Sequence, residues 1–175
     1  AGEGQVELAD RFGSKIKRLV ELIREIEADK AQGKILVFAQ WDHLLNQIGE
    51  ALKLLGIQAA CPRGSVAQIN SAFGQFYAHD RVKVLLLSTR HNLSGSHLVE
   101  ANNLIFVHPF PEAPKNALLE WEQAVSRMQR YGQKRDLRVW YLVTNNTVEV
   151  ELLRMFQQHK SEQHAAMEKL ARVTA

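Results

Sequence analysis

The sequence contains a single cysteine, Cys61, among 175 residues. That excludes an internal disulfide framework and any cysteine-based zinc cluster, and a lone thiol suits a reducing compartment. Long apolar runs are also missing. Residues 84–87 are typical of the longest, far short of the roughly 20 needed to cross a bilayer. The polar start Ala1-Gly2-Glu3-Gly4 has neither the basic nor the apolar part of a signal peptide. The expectation is a soluble intracellular chain with no membrane partner. The seven histidines include no H-x-x-x-H pair, so no metal site is expected. No G-x-S-x-G elbow is present to support a serine hydrolase. Two further absences matter more: there is no G-x-x-x-x-G-K-[ST] loop to cradle phosphates and no D-E-x-H box to hold magnesium.

What remains is an ordinary globular balance, 46% hydrophobic and 23% charged, with a net charge of only +3. Such a charge permits a nucleic-acid partner without demanding one, because the placement of charge decides. Repeats and low-complexity stretches are absent. The chain divides into a loose lead-in (1–13), one domain (14–160) and a helical extension (161–175). Apolar residues at helical spacing predict helices over 14–32, with Ser14 as N-cap, and over 42–55, 66–77 and 113–131. A short helix is expected near 98–101, and a closing helix from about Thr147. Strands are expected at 35–39, 57–60, 82–87, 104–107 and 137–143. Strands alternating with helices of this length imply βαβ units. The fold class is therefore α/β, a doubly wound and mostly parallel sheet with helices on both faces. Ligands of such sheets gather at loops after the carboxyl ends of strands, here 88–97 and the segment after Val107.

The 118–131 stretch carries two stripes. Leu118, Trp121, Val125 and Met128 share one helix face and predict burial. Glu120, Gln123, Arg127 and Arg130 repeat the spacing two residues out of phase, roughly 200° away. Neither arginine has an acidic residue three or four positions distant. This ridge is either a solvated face or a guanidinium fork for phosphate oxygens, the groups that phosphoryl transfer uses. Lys15, Lys17 and Arg18 are likewise either a solvated helix start or contacts to DNA phosphates. Cys61 reads as a small buried residue and His108 as a turn residue.

The run Gln123-Ala124-Val125-Ser126-Arg127-Met128-Gln129-Arg130-Tyr131-Gly132-Gln133 resembles the last motif of Swi/Snf-family ATPases, Q-A-x-x-R-x-x-R-x-G-Q, at all six fixed positions. The resemblance covers nearly the whole chain. Gly13-Ser14-Lys15-Ile16 is similar to the start of that family's second lobe, and residues 34–41 to its K-x-L-V-F-S-Q-W strand. Leu86-Leu87-Ser88-Thr89-Arg90, with Gly95, Leu98 and Ala101, aligns to L-L-S-T-R-A-G-G-L-G-L-N-L-T-A-A, and Thr147-Val148-Glu149 resembles T-I-E. Arg63-Gly64-Ser65 is either a shortened R-x-x-G-S segment or a helix-capping turn. Among branches, the similarity is nearest to SHPRH-type and related RING ubiquitin ligases.

The resemblance implies a RecA-like second (C-terminal) helicase lobe, part of a longer DNA-dependent ATPase of the chromatin-remodelling and DNA-repair kind, nuclear in a eukaryote. Arg127 and Arg130 would be arginine fingers on magnesium-bound ATP held mainly by a first, N-terminal RecA-like lobe, with Gln123 and Gly95 lining that site. Ser88, Thr89, Arg90, Gln40 and Trp41 would face duplex DNA or a nucleosome. This piece alone would be an inactive monomer. Where the family has A-G-G and L-N-L, this chain has His91-Asn92-Leu93 and Ser96-His97-Leu98, and residues 112–118 are an extra stretch. The alternative is a non-catalytic helicase-like lobe serving as a DNA-docking or protein-scaffold module.

Overall fold

A computed structural model describes residues 10–29, 31–88 and 98–174, with side chains through residue 165. Five strands form one sheet: β1 (Lys34–Ala39), β2 (Ala59–Ala60), β3 (Val84–Ser88), β4 (Ala101–Phe106) and β5 (Arg138–Tyr141). Their order is β2-β3-β1-β4-β5, and every pairing is parallel. Every residue of β1, β3 and β4 is buried, because parallel strands covered on both faces need continuous apolar runs.

Alternate side chains of these strands feed two separate cores. Ile35, Val37, Ala39, Val84, Leu86 and Ile105 meet α1 (Ser14–Ala28) and α2 (Asp42–Leu54) on one face. Leu36, Phe38, Leu85, Leu87, Leu104 and Phe106 meet α3 (Val66–Ala78), α4 (Pro114–Ser126) and α5 (Val148–Thr174) on the other. The sheet is doubly wound, as the alternation of elements predicts.

Local chemistry places the ends of the elements. Ser65 caps α3 with a full capping box: its hydroxyl accepts from the Gln68 amide, and Gln68 Oε1 accepts from the Ser65 amide at 2.8 Å. Arg63-Gly64-Ser65 is thus a capping turn. The other end of α3 is closed by Lys34, whose buried Nζ donates to the carbonyls of Phe76 and, at 3.0 Å, His79. Burial pushes the Lys34 ammonium below its ordinary value, while the helix C-terminus favours the cation.

Three expectations need correction. The residue at the N-cap of α1 is Gly13, not Ser14, which is already helical. Helix α1 ends at Ala28 rather than near Gln32, because Asp29 turns the chain back: its carboxylate accepts from the Ala31 amide at 3.0 Å and from Gln32 Nε2 at 2.9 Å. Residues 98–101 form a turn into β4 instead of a short helix. There the Gly33 amide donates to Asn102 Oδ1 at 2.7 Å, and a Cβ on Gly33 would lie 2.5 Å from the Glu100 carbonyl. Only glycine admits so close a backbone crossing.

Candidate functional site

Helix α4 descends from the carboxyl end of β4, and its inward face is the predicted apolar stripe. Val125 and Met128 are buried, and Leu118 and Trp121 are half-buried. Ala117 and Ala124, absent from that stripe, are buried beside them. The opposite stripe is not a continuous helical ridge. The helix stops at Ser126, five residues before the expected Tyr131, because the carbonyls of its last turn are taken. The Met128 amide tightens to a three-residue bond on Val125 O, and Arg127 O accepts from the Leu98 amide at 3.0 Å. Gly132, at φ +103°, then reverses the chain.

This early stop changes where the arginines sit. Gln123 stays exposed on the last turn of α4. Arg127 is the C-cap and is half-buried, whereas Arg130 is exposed with its Nε donating to the Ser126 carbonyl at 3.2 Å. Burial, and then the charge of Arg130, hold the Arg127 guanidinium below its usual range. No acidic side chain among the described residues pairs with Arg127. Two guanidiniums close enough to repel, one of them desolvated, make a local field that an anion would relieve.

The turn is held from below by a residue to which the sequence reading assigns no role. Gln133 Nε2 donates to Ala101 O at 2.8 Å, Val99 O at 3.1 Å and, loosely, Met128 O at 3.4 Å, while its Oε1 accepts from the Arg135 amide at 3.0 Å. Its place as the last fixed position of the motif was the available signal. Val99 and Ala101 lie at the amino end of β4.

The other candidates collect at the opposite, carboxyl end of the sheet. Ser88 is buried as the last residue of β3, level with Ala39 of β1. Gln40 and Trp41 follow β1 directly. The Gln40 amide donates to His108 Nε2 at 2.8 Å, and Gln40 Nε2 donates to Glu112 Oε1 at 2.8 Å. Trp41, 46% exposed, packs its ring 4.6 Å from that of His108. Thr89, Arg90 and Gly95 lie outside the described residues. Two groups of candidates therefore sit at opposite ends of strands five or six residues long, separated by about 17–20 Å.

His108 is tied into this end as a neutral ring. Its Nε2 accepts from Gln40, so the proton is on Nδ1, which faces the Pro109 carbonyl at 3.0 Å. Burial, with a contribution from Lys15, depresses its pKa below the ordinary 6.5. Below about pH 6.5 the unfolded chain then binds the proton that the folded chain refuses, so this group's stabilisation is lost on acidification. We expect the melting temperature to fall between pH 7 and pH 5 more steeply in the wild type than in His108→Gln. Parallel curves would contradict it.

Lys15 and Arg18 already have partners. Lys15 Nζ bonds Glu149 Oε2 at 2.6 Å across 134 residues, and Arg18 bonds Glu25 at 2.7 Å. Burial alone would raise the Glu149 carboxyl, but Lys15 and the Thr144 amide outweigh it and hold it low. The T-V-E motif thus fastens the start of α5 to the start of α1.

Comparison with known proteins fits this arrangement. The chain is 33% identical over 142 residues to an ATP-dependent helicase of Schizosaccharomyces pombe, covering 80% of this chain and 13% of that one. It is 30% identical over 157 residues to the DNA repair protein RAD5 of Yarrowia lipolytica, covering 86% and 14%. A DNA (cytosine-5-)-methyltransferase, DMT5 of Cryptococcus neoformans, matches at 30% over 154 residues, covering 86% and 6%. The chain is a homologue of the Swi/Snf-type ATP-dependent helicases. The structure of the C-terminal part of the Fun30 ATPase domain superposes with a TM-score of 0.69 at 24% identity, covering 81% of this chain and 44% of that one. The fold of this helicase homologue is accordingly RecA-like. No family model matches the sequence. The homology spans most of this chain but a small fraction of the full-length relatives, as the coverage figures state.

Proposed function

We propose that this chain is the second, C-terminal lobe of a DNA-dependent ATPase, and that Arg127 and Arg130 stabilise charge on ATP bound with magnesium by a separate N-terminal lobe. The observation that carries this reading is the half-buried Arg127 guanidinium, which has no acidic partner among the described residues and stands beside Arg130. A desolvated, uncompensated cation is costly for the fold, and a phosphoryl group in transfer is the ligand that repays it. The chain has no phosphate loop of its own, so alone it neither grips nor hydrolyses ATP. Gln123 and Gly95 line the same site. Gln40, Trp41 and Ser88 stand at the opposite end of the sheet and form the side toward duplex DNA, a role the family resemblance extends to Thr89 and Arg90, and the lobe works as a monomer within a nuclear protein. The homologous helicases and the DNA repair relative support this assignment.

The loss of two glycines, where this chain has Asn92 and Leu93, favours a second reading, a docking lobe without turnover. Both readings share a DNA surface, which a titration tests. The isolated chain should bind duplex DNA weakly and without sequence preference, losing about 10- to 100-fold in affinity between 50 and 200 mM salt, as a few phosphate contacts dictate. Affinity unchanged across that range, or strong preference for one base sequence, would overturn the DNA assignment.

A further inference from the structure

Arg127 has no hydrogen-bonded or ion-paired side-chain partner among the described residues, so the course of its backbone bears directly on where its guanidinium points. That backbone is held at two points. The Arg127 carbonyl is pinned by the Leu98 amide at 3.0 Å. The next residue, Met128, has its carbonyl beneath Gln133 Nε2, which is itself anchored to Val99 O and Ala101 O. The side chain of Gln133 reaches back under the turn because Gly132 adopts φ +103° and the Gln133 amide donates to Arg130 O at 3.0 Å. Both ends of the amide are used, since Oε1 accepts from the Arg135 amide at 3.0 Å. The carbonyls it grips lead into β4, where Asn102 also bonds the Asp136 carbonyl at 3.0 Å, so the clasp stands on a buried, hydrogen-bonded part of the sheet.

We infer that Gln133 is a positioning residue: by clasping the turn 127–133 to the lead-in of β4, it sets the angle at which Arg127 meets the phosphates. The inference rests on the proposed role of Arg127. A displacement of about 1 Å in a group of this kind costs on the order of 10²-fold in rate. Gln133 never touches the nucleotide, so its loss lowers the rate of the chemical step and leaves ATP affinity in place.

The test is a double-mutant cycle in the full-length protein, with Gln133→Met, Arg127→Ala and their combination. Methionine keeps the volume of glutamine but donates nothing; Gln133→Ala provides a second variant. Gln133→Met should lower kcat about 10²-fold with KM for ATP changed less than about three-fold. In the Arg127→Ala background it should lower kcat by less than about three-fold, because the residue acts through Arg127. Losses that multiply, or a KM that rises while kcat holds, would show a purely structural role and overturn the inference. If Arg127→Ala lowers kcat and Gln133→Met does not, the clasp is dispensable and only this inference fails. If Arg127→Ala itself leaves kcat at the wild-type value, the role of Arg127 fails, and the role of Gln133 with it.

Discussion

Arg127→Ala in the full-length protein should cut ATP turnover about 10³-fold, the lower end of the range for the arginine fingers proposed above. The argument is electrostatic. Charge spreads over the oxygens of the transferring phosphoryl group, and a preorganised guanidinium in a partly desolvated site is worth several kcal/mol there, on the order of 3–4. ATP affinity should change far less, because on the proposed reading the gripping groups belong to another lobe. Stability should not suffer either. Arg127 is half-buried without an acidic partner among the described residues, and its guanidinium is already held below its ordinary range by burial and by Arg130. Removing such a cation relieves a cost, so the melting temperature should hold or rise slightly. Arg130→Ala should lower turnover similarly and leave stability within about 0.5 kcal/mol, as exposed substitutions do.

The converse result is expected in the core. Phe106→Ala should destabilise the lobe by about 3–5 kcal/mol, in the range for buried aromatic truncations. Phe106 is 1% exposed at the end of β4 and packs against three aromatic rings at once. Its ring centroid lies 4.8 Å from Phe110, 5.6 Å from Tyr141 and 5.7 Å from Phe38, and Phe110 and Tyr141 in turn pack on Phe156 of α5. Truncation opens a cavity joining the sheet to α4 and α5 that no single neighbour can fill. For a domain of this size, thermal melting should drop by roughly 6–20 °C. A loss below about 1 kcal/mol would mean that this cluster is not the core that holds α5.

The sheet was legible because its strands are unbroken apolar runs between turn residues, and residues 35–39 and 84–87 could be buried on both faces in no other way. The inward face of α4 was legible for the same reason: Val125 and Met128 recur at helical spacing and are buried. What spacing alone does not carry is where a helix stops when its terminal carbonyls are claimed by a distant strand. Leu98 takes the carbonyl of Arg127 from 29 positions upstream, so the helix ends at Ser126 and the arginines leave the ridge that periodicity predicts. The same limit applies to Asp29 and Gln32, which end α1 through contacts closing on Asn102. It applies again to Gln133, whose three carbonyl partners are 5 to 34 residues away. Arg127 and Arg130 were selected from residue type and motif. That one of them is desolvated while the other is exposed is a property of the fold alone.

The most direct test of the arginine assignment is ATP turnover by the full-length protein at saturating ATP and duplex DNA, wild type against Arg127→Ala, with melting curves on the same samples. Turnover about 10³-fold lower with an unchanged or slightly higher melting temperature is the predicted result. Wild-type turnover in a normally folded Arg127→Ala protein would contradict it, and would make the arginine turn a surface feature of the fold.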